Sequence, residues 1–194
     1  MAILGWTRLW GDELSSADGT ENAEMVFSGS TNGSISTRDA NNGIGDFVFD
    51  TDLNFVADGE YDKGGMVFGL QSDGVRGYYL LYKVNWEGTR IKLLKDVDDG
   101  NVNSGTVVQG EYLYPGSPGA AHKSNIIITK VGSDYTVTLG TWGDNTWTDS
   151  TYPTGNIGYT NNETWNVNDS KINFKSITGG SPVPTLRRRL MFIT

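Results

Sequence analysis

Apolar and polar residues alternate with a period of two through much of this 194-residue chain, and that rhythm decides what it can fold into. Along residues 46–55, Phe47, Phe49, Leu53 and Phe55 fall on one side of an extended backbone, and Asp46, Asp50, Asp52 and Asn54 fall on the other. Successive side chains of a strand point to opposite faces, so a half-buried strand reads this way and a helix does not. The spacing predicts strands near 3–7, 24–28, 33–37, 45–56, 65–71, 77–84, 89–95, 104–109, 124–131, 134–140, 155–159 and 170–176. Between them stand turn clusters such as Asp39-Ala-Asn-Asn-Gly43, Asp73-Gly74, Glu87-Gly88 and Asp98-Asp-Gly100. Their Gly, Asn and Asp residues supply positive φ or side-chain-to-backbone hydrogen bonds. Residues 112–121, which contain Pro115, Gly116, Pro118 and Gly119, read as a long loop. No amphipathic helix of useful length is predicted. The expected fold is all-β, a two-sheet antiparallel β-sandwich of jelly-roll type.

Faces can be assigned before any tertiary structure is known. Met66, Phe68 and Leu70 share a face, as do Tyr78, Leu80, Tyr82 and Val84, then Ile91 and Leu93, and then Tyr135, Val137 and Leu139. These form the expected core layer. The opposite faces carry Val67, Gly69 and Gln71, then Tyr79, Leu81 and Lys83, then Arg90 and Lys92. That mixture of rings, amides and cations is expected to form a solvated concave surface.

Length and charge narrow the function. One domain is expected over residues 1–177, because a chain of this size can bury a substantial core. Residues 178–194, beginning Thr178-Gly-Gly-Ser-Pro-Val-Pro184 and including Arg187, Arg188 and Arg189, read as a linker or tail. The net charge of −8 argues against nucleic acid, whose phosphates need a basic stripe. No apolar run approaches the length of a membrane span. The absence of cysteine removes disulfides, thiolate metal sites and cysteine nucleophiles together.

Signs of catalysis are sparse. Retaining glucanases of sandwich folds place carboxylates as Glu-x-Asp-x-x-Glu on one strand; here Glu60-Tyr-Asp62 is followed by Gly65 at the third position. His122, the single histidine, excludes a zinc site built of several imidazoles and reads as a residue at a strand entry. The acidic run Asp96-Val-Asp98-Asp-Gly100-Asn101 lacks helix-loop-helix calcium spacing and reads as a solvated turn. Tryptophan offers flat apolar platforms for the C–H faces of sugars. Trp6 and Trp10 are expected against the core edge, Trp142 and Trp147 over the sandwich end, and Trp86 and Trp165 at loop tips free to meet a ligand.

Taken in order, several segments carry a resemblance. They are Asp46-Phe-Val-Phe-Asp50, Gly64-Gly-Met-Val-Phe68, Gly77-Tyr-Tyr79, Ile91-Lys-Leu-Leu-Lys95, Asp149-Ser-Thr-Tyr152, Gly155-Asn-Ile-Gly158 and Ile172-Asn-Phe174. With Gly5-Trp6-Thr7 and Trp10-Gly11 at the start, the stretch 5–177 resembles the concanavalin A-like sandwich modules that trail levanases and inulinases, the fructan-binding module family. The resemblance implies a non-catalytic module that holds a larger multidomain enzyme on a polysaccharide, outside the cell or at its surface. It is compatible with a structural calcium assembled from other loops. Two positions depart from the family: Gly69 stands where Arg is common, and Lys83 stands where an acidic residue is common. The resemblance therefore implies a glycan-binding sandwich whose contacts at these two positions differ from the family's.

The expected ligand is a poly- or oligosaccharide, and the expected surface combines Gln71, Asp73, Tyr79, Lys83, Trp86 and Arg90, with Trp165 from a neighbouring loop. Tyr79 and Trp86 would stack, while Gln71, Asp73, Lys83 and Arg90 would bond hydroxyls. Two other classes fit the same sequence. A glycoside hydrolase would draw two carboxylates from Glu60, Asp62, Asp73 and Glu87 into one cleft. An adhesion or structural module would instead present an apolar patch at its Trp-bearing tips.

Overall fold

The computed structural model describes residues 1–27, 33–55, 62–85, 88–98, 104–114, 122–140, 144–161 and 170–179. Its strands are β1 (Trp6–Trp10), β2 (Leu14–Ser16), β3 (Met25–Phe27), β4 (Ser34–Arg38), β5 (Phe47–Phe55), β6 (Asp62–Leu70) and β7 (Tyr78–Asn85). They continue with β8 (Gly88–Lys95), β9 (Thr106–Tyr114), β10 (His122–Val131), β11 (Asp134–Leu139), β12 (Asp144–Thr148), β13 (Asn156–Asn161) and β14 (Ser170–Gly179). A 3-10 turn at Asp39–Asn41 is the one helical element among the described residues. Each sheet has seven strands, in the orders β1-β4-β13-β6-β7-β8-β9 and β12-β11-β10-β5-β14-β3-β2, and every pairing is antiparallel. The all-β sandwich is as expected.

The core between the sheets is built by the predicted alternation. Phe47, Phe49 and Leu53 of one sheet meet Met66, Phe68, Tyr78, Leu80, Tyr82 and Tyr159 of the other, each no more than 3% exposed. Aromatic packing closes both sides. Trp6 stacks on Tyr159 with ring centroids 5.3 Å apart, and Trp147 lies nearly parallel to Tyr135 at 5.2 Å. Inside, Thr51 and Tyr159 share a hydrogen bond of 2.8 Å that crosses from sheet to sheet and satisfies both hydroxyls.

Several strands differ from expectation at their ends. The first runs over 6–10 rather than 3–7, because Ile3 is buried without belonging to a strand. Two short edge strands, β2 and β12, lack an apolar rhythm and were not expected. β9 continues to Tyr114, into the stretch read as a loop, and β14 runs to Gly179, beyond the strand end expected at 176.

Two corrections concern faces. Leu70 does not share a face with Met66 and Phe68. On β6, three steps from Val67 to Leu70 oppose two steps from Asn156 to Gly158 on β13, so one residue is extra and the strand is bulged. Gly69 takes φ +60° there, and beyond it the chain turns Leu70 to the opposite side. Leu70 accordingly joins Val67, Tyr79, Leu81, Ile35, Leu94 and Val97 in a second apolar cluster on the outer face of this sheet. That face was expected to be solvated, yet Val67, Tyr79 and Leu81 are at most 1% exposed. Leu9 and Trp10 pack against the cluster, and the turn between β6 and β7 folds back over it. The Trp10 indole N–H and the Tyr79 hydroxyl both donate to the Gly74 carbonyl, each at 2.9 Å.

Candidate functional site

The turn that covers the second cluster, residues 71–77, begins with a backbone ladder: Gln71 N–H donates to the Arg76 carbonyl at 2.8 Å, and Gly74 N–H to the Gln71 carbonyl at 3.0 Å. Asp73 then caps the turn from within. Its Oδ1 accepts the amides of Val75 and Arg76, each at 3.0 Å, and its Oδ2 pairs with Arg76 Nε at 2.5 Å. Burial alone would raise the Asp73 carboxyl, but the two amides and the guanidinium outweigh it and hold the group below the usual carboxylate range. The side-chain hydrogen bond with Asp73 raises Arg76 in turn.

A second segment, residues 149–155, lies against this turn. Gln71 Nε2 stitches the two together by donating to the carbonyls of Gly69 (2.9 Å) and Thr154 (3.0 Å). The backbones approach so closely that a Cβ on Gly155 would stand 2.2 Å from the Gly69 carbonyl carbon. A side chain at Gly69 would meet Tyr152 Cβ and Tyr78 Cδ2, both at 3.2 Å. The position where the resembling family commonly has Arg is therefore filled here by Tyr152 and the 149–155 backbone.

Asp149 anchors that segment. Its Oδ1 accepts the Tyr78 hydroxyl at 2.6 Å and the Thr151 amide at 2.7 Å, and its Oδ2 faces Lys95 Nζ at 3.0 Å. Burial pushes the carboxyl up, and the Thr151 hydroxyl, Tyr78, the Thr151 amide and Lys95 more than reverse this, leaving it well below the usual carboxylate range. Asp149 is thus held as a carboxylate and is poorly suited to donate a proton near neutral pH. Lys95 Nζ also donates to the Thr151 hydroxyl at 3.1 Å. Next along the rim, the Tyr152 hydroxyl donates to Asp96 Oδ1. Burial and this carboxylate together push the phenol up to about 12. Asp96 stands at φ +57°, the one non-glycine residue at positive φ among those described. Such backbone strain persists only where the surroundings enforce it, and it gathers at binding sites.

The expected surface is therefore divided. Gln71 and Asp73 come together where residues 71–77 meet residues 149–155, a junction termed the mouth. Tyr79 does not stack on a ligand; it is buried beneath the mouth, its ring inside the second cluster and its hydroxyl bonded to the Gly74 and Val75 carbonyls. Lys83 and Arg90 are direct cross-strand neighbours on β7 and β8. They stand about 17 Å along the strand from Tyr78 at the mouth, at some 3.3 Å per residue. Trp86 and Trp165 lie outside the described residues, as do Glu60 and Glu87. Arg76, Lys95, Asp149 and Tyr152 were not expected at the site. The Asp73–Arg76 spacing within a turn carried a usable signal for the first of these. Nothing local links Asp149 to Tyr78 and Lys95, which are 71 and 54 positions away. Among the described residues no three His, Cys, Asp or Glu side chains are grouped to hold a metal ion.

The chain matches no protein-family profile. No curated protein matches it in sequence. Solved structures do match its fold. A carbohydrate-binding module, CBM66 from Bacillus subtilis, aligns with TM-score 0.65 at 18% identity, covering 93% of this chain and 99% of that one. A legume lectin-like domain from Entamoeba histolytica aligns at TM-score 0.61 and 11% identity, over 91% of each chain. The metal-free carbohydrate recognition domain of Emp46p aligns at 0.59 and 13%, over 92% of this chain and 89% of that one. These likenesses show a concanavalin-like, lectin-like sandwich fold.

Proposed function

We propose that this chain is a non-catalytic carbohydrate-binding module, taking a poly- or oligosaccharide at the mouth between residues 71–77, 95–97 and 149–155. The observation that carries the reading is the set of paired donors and acceptors where these segments meet, with partly exposed rings of Trp10 and Tyr152 beside it. Hydroxyl recognition needs such a preformed set of polar groups on an otherwise well-packed surface. Asp73 is tied to Arg76, and Asp149 to Lys95 and Tyr78, which suits binding better than proton transfer. Neighbours that are carbohydrate-binding or lectin-like modules support the same reading.

In this reading the module serves a larger glycoside hydrolase outside the cell and keeps it on its polymer. Fructan is the first ligand to try, because the motif order resembles fructan-binding modules. Lys83 and Arg90, adjacent across two strands, remain candidates for a second contact farther along a long polymer. Calorimetry against levan, inulin and a panel of neutral polysaccharides tests the proposal. Saturable binding without release of reducing sugar is the expected result. Failure to bind any glycan, or turnover of one, would overturn it.

A further inference from the structure

Resting on the carbohydrate-binding reading, we infer that Arg76 is the specificity residue of the mouth and that it clamps two adjacent hydroxyls of a neutral sugar. The Arg76 side chain is 63% exposed, and its Nε is committed to Asp73. Its two terminal nitrogens have no protein partner among the described residues. A guanidinium presents its donors in a fixed plane, so two neighbouring nitrogens address two neighbouring oxygens at once. Asp73 has already oriented that plane, because its other oxygen is held by the amides of Val75 and Arg76. Little side-chain freedom is left to lose when a ligand arrives.

An acceptor is tied to the residue next to this fork. The Asp96 N–H donates to the Gly77 carbonyl at 3.1 Å, and Asp96 Oδ1 accepts the Gly77 amide at 3.4 Å and the Tyr152 hydroxyl. Its Oδ2 has no partner among the described residues. A hydroxyl that receives a proton from Arg76 still has its own proton to donate, and Asp96 Oδ2 or Asp73 Oδ2 can take it. Donor and acceptor thus occur as a pair, which is what a sugar hydroxyl needs and a phosphate or a simple amine does not.

Charge selects the class of sugar. Around the mouth stand the carboxylates of Asp73, Asp96 and Asp149 and the cations Arg76 and Lys95. Lys95 is bound to Asp149 and Thr151, so it does not offer a second cation to an incoming anion. The surplus of negative charge, on a chain of net −8, repels uronates and sulfated sugars and leaves neutral diols as the matching ligand.

The test compares wild type, Arg76→Lys and Arg76→Ala by calorimetry on neutral glycans, namely levan, inulin and mannan, and on polygalacturonate. Thermal melts run alongside, and the exposure of Arg76 predicts melts close to wild type for both variants. The lysine keeps the charge and removes the fork, so binding to the neutral glycan should weaken by about tenfold to a hundredfold in both variants. Polygalacturonate should bind to none of the three. If wild type binds a neutral glycan and both variants bind it equally well, the clamp is wrong and the module reading stands. Preference for polygalacturonate would also overturn the inference, since it reverses the class of sugar. If wild type binds no glycan at all, the module reading fails, and the clamp with it.

Discussion

Asp149 shows how one side chain organises a surface. It gathers a phenol, an amide and an ammonium, and these hold the 149–155 segment on the start of β7 and the end of β8. Asp149→Asn keeps the shape and removes the charge, so the bonds to Lys95 and Tyr78 weaken together. The expected loss is about 1.5–3 kcal/mol, the range of hydrogen bonds to charged groups, read as a lower urea midpoint with an unchanged slope. Gly155 makes a complementary case. A methyl group there would overlap the Gly69 backbone, which no rotamer change can relieve, so Gly155→Ala should cost about 1–3 kcal/mol or more. If Gly155→Ala melts like wild type, the close packing of the two segments is wrong.

At the scale of elements, the edge strand β12 is paired to β11 along its length and anchored to the core by one ring. Its burial alternates between exposed and partly buried, and among the described residues it pairs only with β11. Trp147 packs face to face on Tyr135, which sits in the main core with Lys130 Nζ 5.6 Å from its ring centre. Trp147→Ala should cost about 3 kcal/mol, as large aromatic truncations do. Amide exchange should rise first in Asp144–Thr148 and in its partner Asp134–Leu139. Rates raised equally across both sheets would mean that the ring supports the whole core rather than the edge. Elements also mark where pattern reading works. β5, β7 and β11 carry long clean alternations, and among the described side chains their core-facing residues came out as expected, although the other face of β7 is buried rather than solvated. β2 and β12 are too short and too polar to stand out. On β6 the alternation misassigned Leu70, because one glycine at positive φ inserts a bulge that the apolar rhythm does not announce.

For the whole molecule, the carboxylates set the acid limit. Asp18, Glu21, Asp73 and Asp149 all have folded pKa values below their ordinary ones. A depressed carboxyl contributes stability that is fully present above its unfolded pKa and is lost as pH falls through the folded one. The sandwich should therefore hold steady near neutrality and lose stability as pH drops below about 4, where unfolded carboxylates titrate. Asp149→Asn should flatten that acid limb, as measured by urea midpoints at stepped pH. An unchanged slope would show that Asp149 is not among the groups responsible. Tyr152 works in the opposite sense: its raised pKa stabilises the neutral phenol, a contribution lost as pH rises through about 12.

By itself, the order of residues determined that the chain would form strands, that they would stack in two antiparallel layers, and which rings would fill the space between them. Each of those outcomes depends on side chains one or two positions apart, where the backbone period acts directly. Only the tertiary structure decided which outer face is covered. The turn 71–77 folds over Val67, Tyr79 and Leu81 because Trp10 and Tyr79, distant in the chain, converge on one carbonyl, that of Gly74. Only there, too, do Gln71 and Asp73 acquire Asp96, Asp149 and Tyr152 as companions. Contacts between segments tens of residues apart leave no periodic trace in sequence, since they follow from where sheets bend and where two glycine backbones can touch.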